Sequence, residues 1–277
     1  MLGTMGRMAA TAVTAGAVAL LGPVPQAVAA TVVNCPTDNL QAAINAATPG
    51  SALRVTGTCT GNFTVDKNLA LAGATGATLN GGGTGTALTV TPGVRVSLTT
   101  LTITQGAAVN GAGIFNEGTL SLNRSTVSGN TASDQGGGIH NTAGGTLTLN
   151  RSAVSGNSAS YGGGIINAGA VLLNGSTVSG NTAVNGGGGI HNHVFGALTM
   201  NRSTVDGNTA NQGGGINNAE SGTTARLNGS TISNNTATGG TGSGGGINNA
   251  GTVTANRVTY INNNPENCAG NPVPGCP

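Results

Sequence analysis

A column of aromatic, aliphatic and imidazole side chains recurs in the middle of the chain and could form a binding surface. Its members each follow an inward Ile in successive repeats, and they are Phe115, His140, Ile166, His191, Asn217 and Asn248, with His193 two places beyond His191. Exposed together on one face, these side chains could bind a sugar chain or a partner. The alternative is an ordinary surface stripe without a ligand. Because His140 and His191 are two repeats apart, about 10 Å in stacked strands, we predict no shared metal ion.

A second column carries arginine directly after a recurring asparagine. It reads Arg124, Arg151, Gly175, Arg202, Gly229 and Arg257. Arg124 and Arg151 belong to consecutive repeats, and their guanidinium groups could clamp a carboxylate or sulfate on an acidic polysaccharide. The alternative is that the aliphatic stems only cover a strand edge while the charged ends stay in water.

The acidic residues do not form a catalytic cluster. After the leader they are Asp38, Asp66, Glu117, Asp134, Asp206, Glu220 and Glu266, and no two share a column on adjacent repeats. Glu117 and Glu220 occupy similar turns four repeats apart, about 19 Å at the strand spacing of a stacked structure. Cooperating carboxyl groups of an inverting glycosidase lie about 6.5–9.5 Å apart. We therefore predict no catalytic residue and no cofactor.

These columns arise because residues 111–264 repeat one pattern six times, roughly every 26 residues, which is typical of a solenoid. Each repeat has three short apolar segments separated by Gly and Asn, and apolar residues such as Leu147 and Leu149 alternate with polar ones. Period two predicts strands with one buried face, and 51 Gly disfavour helices. The pattern predicts an all-β fold, a right-handed parallel β-helix of roughly nine coils over residues 51–264, including about three less regular coils before Val109.

Two asparagine columns indicate how the coils stack. They are Asn116, Asn141, Asn167, Asn192, Asn218 and Asn249, and Asn130, Asn157, Asn181, Asn208, Asn235 and Asn263. Asparagine at a tight turn tolerates left-handed backbone geometry and can pass hydrogen bonds to the same residue one coil away. Both columns therefore support stacking of the coils.

The two ends of the chain differ from the repeats. Arg7, an apolar run and the small residues around Ala29 predict a secretory signal peptide over residues 1–30. Residues 31–50 are predicted to form an N-terminal cap with a short helix over 39–47, capped by Asp38 and stopped by Pro49. Residues 265–277 are a Pro-rich C-terminal tail.

Four cysteines in an exported chain predict two disulfides. Of the three pairings, Cys35–Cys59 and Cys268–Cys276 are favoured because the ends of a rod lie tens of ångströms apart, whereas a disulfide spans at most about 6.8 Å between Cα atoms. Each bridge would then close one end, including the tail.

Several segments resemble the pectin-lyase-like superfamily of right-handed parallel β-helices. They are the capping segment 38–44, the strand pair 63–71, the turn 79–83 and the Gly-Gly-Gly-Ile-x-Asn repeats, which are also similar to those of polymorphic outer-membrane proteins. The resemblance covers the chain after the leader and implies the fold. Lyases of this superfamily use calcium and an Arg or Lys base, and its hydrolases use clustered Asp residues. No position here matches either catalytic set.

The sequence thus predicts a secreted, monomeric, non-catalytic β-helix protein, an extracellular or cell-surface adhesin-like module whose partner is a polysaccharide or another surface component. The alternative is a secreted polysaccharide lyase or glycoside hydrolase. Nine basic and seven acidic residues give a near-neutral chain, which argues against nucleic acid, and no apolar run after the leader is long enough to span a membrane. An ice-binding solenoid is disfavoured because Leu172 and Arg226 interrupt the outward Thr column.

Overall fold

The computed structural model describes residues 30–277. The predicted signal peptide lies outside the described residues except for its last position. The described chain is an all-parallel β-solenoid of about nine turns with 52% strand and 3% helix. The predicted parallel β-helix is confirmed.

Four parallel sheets run along the rod, and a complete turn visits them in order. Sheet 1 has ten strands: Thr31–Asn34, Ala52–Thr56, Leu69–Gly73, Arg95–Thr99, Thr119–Asn123, Thr146–Asn150, Ala170–Asn174, Ala197–Asn201, Thr224–Asn228 and Thr252–Asn256. Sheet 2 has nine: Thr58–Thr60, Thr78–Asn80, Thr102–Thr104, Thr126–Ser128, Ala153–Ser155, Thr177–Ser179, Thr204–Asp206, Thr231–Ser233 and Thr259–Ile261.

Sheets 3 and 4 complete each turn. Sheet 3 has six strands: Ala107–Asn110, Thr131–Gln135, Ser158–Tyr161, Thr182–Gly186, Thr209–Ala210 and Thr236–Ala237. Sheet 4 has nine: Phe63–Val65, Leu88–Val90, Ile114–Asn116, Ile139–Asn141, Ile165–Asn167, Ile190–Asn192, Ile216–Asn218, Ile247–Asn249 and Cys268–Gly270. The last of these strands lies in the segment that the sequence assigns to the tail.

The main core is filled by the apolar columns that the sequence analysis placed inward. Leu147, Leu149, Val154 and Ile139 of one turn are all fully buried. Equivalent residues pair in register from turn to turn, as Ile139 does with Ile165, so identical side chains stack along the rod.

Sheet 3 is a difference from the sequence analysis, which found three apolar segments per repeat. Its inward residues are alanines, and Ala132 and Ala159 form a small second core with Ala112. Alanine in a Ser-rich and Asn-rich segment gives too weak an apolar signal to predict a strand. These strands end at a sharp Gly turn, as at Gly136 with φ +65, before sheet 4 begins.

The asparagine columns are hydrogen-bonded ladders, as predicted. Asn141 Nδ2 donates to Asn167 Oδ1 at 2.8 Å, and Asn157 Nδ2 donates to Asn181 Oδ1 at 3.0 Å. Left-handed backbone, which asparagine tolerates, does not occur in either column; positive φ falls on the residue before the second column, as at Gly156 with φ +62. The glycine adopts the left-handed conformation of the turn, and the asparagine side chain forms hydrogen bonds along the rod.

The N-terminal helix spans Leu40–Ala46 and buries Leu40 and Ile44. Its N-cap is Asn39, whose side chain accepts a hydrogen bond from the Ala42 backbone N–H. The predicted cap at Asp38 is wrong, because the Asp38 carboxylate accepts instead from the Asn34 backbone N–H at 2.7 Å and so closes the loop before the helix.

Both predicted disulfides are present. Cys35–Cys59 joins Cα atoms 5.0 Å apart and Cys268–Cys276 joins Cα atoms 6.3 Å apart. Val273 in the tail is buried against the main core. Within residues 30–277, no helix has the length and apolar character needed to span a bilayer.

Candidate functional site

The arginine column lies at the corner where sheet 1 passes into sheet 2, along a groove of about 750 Å³. We call this the arginine groove. It is lined by Thr99, Asn123, Arg124, Asn150, Arg151, Asn174, Gly175, Asn201 and Arg202. The groove therefore brings together the predicted pair Arg124 and Arg151, and it adds Arg202 from two turns further along.

The backbone of the arginine column is left-handed at every turn. Arg124 and Arg151 have φ 49°, Arg202 has φ 48°, and the two glycines of the column both have φ 55°. Left-handed backbone costs a non-glycine residue about 1–2 kcal/mol. Arginine therefore stands in the groove at positions where glycine would fit without strain, and the glycine interruptions in the sequence mark the same backbone geometry.

The arginine side chains are exposed and their charges are unpaired. Among residues 30–277 the one ion pair joins Lys67 to Asp66 at 3.7 Å, and no guanidinium group donates a hydrogen bond within that range. The stems lie along the rod, since Arg151 Cγ would lie 3.9 Å from a Cβ added at Gly175. Arg202 Cγ would likewise lie 3.7 Å from a Cβ added at Gly229, so these two stems lie beside the next turn.

A row of hydrogen-bonded asparagine amides, which we call the asparagine rail, lies beside the arginines. Asn150 Nδ2 donates to Asn123 Oδ1, and Asn174 and Asn201 continue the series, each at 3.0 Å. An amide has two N–H donors and two acceptor positions, so each interior member keeps one of each for another partner. The sequence analysis used this column only as a reference, although its repetition beside the arginines was a usable signal.

The column of aromatic, aliphatic and imidazole side chains, which we call the imidazole column, lies on the outward face of sheet 4. The Phe115 and His140 rings are 5.0 Å apart between centroids, and the Tyr161, His191 and His193 rings follow one another at 5.2 and 5.4 Å. Tyr161 was not predicted, because it comes from a strand of sheet 3 in a different part of the repeat.

The expected exposure of this column is wrong for its middle members. Ile166 is 1% exposed, His191 7% and Asn217 5%. The cause is that the ends of the sheet 3 strands fold over the outward face of sheet 4. A Cβ added at Gly186, the end of one such strand, would lie 3.3 Å from His191 Nδ1.

Burial keeps these imidazoles neutral. Loss of solvent, together with a smaller effect of the nearby His193, lowers the pKa of His140 and of His191 to about 4, and Asp134 opposes this shift at His140. Burial also lowers the pKa of His193, against the opposing effect of Glu220. His191 Nδ1 has the Asn217 amide as a partner at 3.2 Å, whereas buried His140 Nδ1 and His193 Nε2 have none.

Residues 30–277 contain no group of three or more His, Cys, Asp or Glu side chains that could hold a metal ion. The described lining of the arginine groove contains no acidic or imidazole side chain. Guanidinium groups remain protonated in proteins, so this lining offers charge and hydrogen bonds. Comparison with protein-family models, with curated proteins and with solved structures found no match to this chain.

Proposed function

We propose that the protein is an extracellular, non-catalytic binding module that holds a linear acidic polysaccharide in the arginine groove. The observation that carries this proposal is the row of unpaired arginines on left-handed backbone beside the asparagine rail. Thr100, one turn before Arg124, has the same left-handed backbone with φ 52°, so the unpaired charge of the arginines, rather than the backbone strain alone, supports this proposal.

The dimensions of the groove suit a polymer. Its lining runs from Thr99 to Arg202 across four turns of the rod, about 19 Å at the spacing of parallel strands. Arg124 and Arg151 are one turn apart, and Arg202 follows two turns later. Carboxylates that repeat along a chain could pair with guanidinium groups, while sugar hydroxyls could bond to the free positions of Asn150 and Asn174.

The compartment agrees with this reading. Two disulfides favour an oxidising environment such as the cell exterior, and the sequence of residues 1–30 predicts export. The described lining of the groove supplies guanidinium and amide groups but no carboxylate or imidazole, which favours binding over acid–base hydrolysis.

The test compares polygalacturonate with fully methyl-esterified polygalacturonate, which has the same backbone without the charge. We expect the mature protein to be retarded by polygalacturonate in affinity electrophoresis, with weaker retardation as salt screens the charges. We expect neither unsaturated products nor new reducing ends, with or without calcium. Equal retardation by the neutral ester, no retardation at all, or cleavage would each contradict the proposal.

A further inference from the structure

One turn of the solenoid has the opposite hand to its counterparts in other coils. The chain passes from sheet 4 to sheet 1 through four-residue turns at 142–145, 193–196 and 220–223, each closed by a hydrogen bond from the backbone N–H of the fourth residue to the carbonyl of the first, at 2.8, 2.9 and 3.0 Å. The central residues of the second turn, Val194 and Phe195, have φ 49° and 62°, whereas those of the other two turns have no positive φ.

Valine and phenylalanine are poor residues for such a turn. A turn with positive φ at both central positions favours Asn-Gly, and a β-branched residue with positive φ is a clear outlier. The surrounding structure nevertheless holds this geometry. The Val194 N–H donates to Glu220 Oε2 at 3.1 Å, and the Phe195 ring covers Gly222, where any added side chain would collide with it.

The strained turn presents an aromatic ring to solvent in a fixed position. Phe195 is 78% exposed, the largest value among the exposed large hydrophobic residues, and Val194 is 43% exposed. A protruding phenylalanine that rests on a glycine of the next coil, in a turn pinned by Glu220, is arranged as a preorganised contact surface.

Most of the few aromatic and imidazole rings of the chain lie on this same side of the rod. The sequence has three Phe, two Tyr, three His and no Trp. Five of these eight lie on the outward face of sheet 4 or in the turn that follows it, and Tyr161 of sheet 3 contacts His191. We call these six the ring patch: Phe115, His140, Tyr161, His191, His193 and Phe195. Of the others, Phe63 is buried in the main core.

We propose that the ring patch is a second binding site, separate from the arginine groove, that takes a neutral sugar ring. The apolar face of a pyranose can stack on an aromatic ring. Its hydroxyl groups can donate hydrogen bonds to a carboxylate such as that of Glu220, which is exposed beside the turn.

Charge argues for a neutral ligand rather than an acidic one. Asp134 and Glu220 lie close enough to His140 and His193 to act on them electrostatically, and the patch itself contains no Lys or Arg. A polyanion would be repelled here, while carboxylates accept hydrogen bonds from hydroxyls. A five-residue strand of sheet 1, about 16 Å long, separates this side from the arginine groove.

The three imidazoles provide a specific readout, because every histidine of the chain belongs to the patch. We would titrate the mature protein with cellohexaose, mannohexaose, maltohexaose and xylohexaose and follow the three imidazole signals by NMR. We expect shifts with at least one of these hexasaccharides. We also expect Phe195→Ala to weaken the affinity for that hexasaccharide at least tenfold. The control is Val184→Ala, which removes a side chain that is 70% exposed on sheet 3 and should bind as the parent does. No shift with any hexasaccharide, or shifts that survive Phe195→Ala, would overturn the proposal.

A second variant separates binding from folding. Replacing Val194 by Asn and Phe195 by Gly gives the turn its preferred residues, so the melting temperature should rise while the imidazole shifts disappear. A lower melting temperature would contradict the strain argument, and retained shifts would contradict the role of the ring. Phe195→Ala should leave retardation by polygalacturonate unchanged, so that failure at this site and failure of the arginine groove are distinguishable.

Discussion

Replacing groove arginines by glycine should remove binding without loss of stability. The protein supplies the template, since Gly175 and Gly229 occupy the same column with the same left-handed backbone. Relief of strain is worth about 1–2 kcal/mol per site. It is offset by the greater freedom of glycine in the unfolded chain, about 0.4–1 kcal/mol. We therefore expect Arg151→Gly to change the free energy of unfolding by less than about 1 kcal/mol, with a small gain favoured.

The effect on binding should be much larger when the substitutions are combined. An exposed charge pair is worth up to about 1 kcal/mol, so removing Arg124, Arg151 and Arg202 together should cost about 3 kcal/mol. That corresponds to roughly a 150-fold loss of affinity for polygalacturonate, at 1.4 kcal/mol per tenfold change. Calorimetric titration at low salt would measure the affinity, and thermal unfolding would measure the stability.

Arg95→Ala provides the matched control, because it removes one exposed charge at the far end of a sheet 1 strand. This variant should bind as the parent does within a factor of about two, since screening weakens charges more than about 10 Å away. The reasoning is refuted if Arg95→Ala weakens binding as much as Arg151→Gly. It is also refuted if the triple glycine variant binds normally or unfolds more than about 2 kcal/mol more easily.

Three further outcomes are expected. Asn167→Ala should cost about 3 kcal/mol of stability in chemical denaturation, because it leaves two ladder partners unpaired at a fully buried position, whereas Asn228→Ala, on the exposed rail, should cost less than about 1 kcal/mol. The unfolded pKa of His191 is 6.5 and its folded pKa is about 4, so its contribution of about 3 kcal/mol is present above pH 6.5 and lost as pH falls towards 4; His191→Asn should reduce the fall in thermal stability across that window without removing it, because the pKa of His140 is also lowered to about 4. Reduction of the Cys268–Cys276 bridge, 8 residues apart, should lower stability by about 3 kcal/mol and begin unfolding at the C-terminal end, detectable by hydrogen exchange.

The interior could be predicted from the sequence because the same pattern of inward residues recurs in six repeats. Period-two apolar residues such as Leu147 and Leu149 can only face the core, and an asparagine in a fixed column can only meet its equivalent one turn away. The disulfide pairing followed from the distance between the two ends. None of these conclusions needs knowledge of how distant segments pack.

The outward features could be predicted only in part. The position of Arg151 beside Arg124 follows from the repeat, but its left-handed backbone was visible only as a glycine at 175 in the same column. The burial of His191 depends on the end of a sheet 3 strand, which comes from a segment too rich in small polar residues to be recognised as a strand. Likewise, the inverted turn at Phe195 depends on Glu220 and Gly222 of the next coil.

Local preference and observed structure agree in the interior and disagree at several outward positions, where residues other than glycine have positive φ. Apolar columns, buried ladders and Gly turns each take the conformation that their residues favour. The arginine column and the Val194–Phe195 turn do not, although the chain uses glycine freely elsewhere and at Gly175 in the same column. Glycine at 175 and 229 shows that the solenoid accepts an unstrained residue in the arginine column, and this supports the proposal that the side chains at both places contact a ligand. The two places differ in chemistry, cationic on one corner and aromatic on the other, which is why we propose two separate ligands rather than one extended ligand.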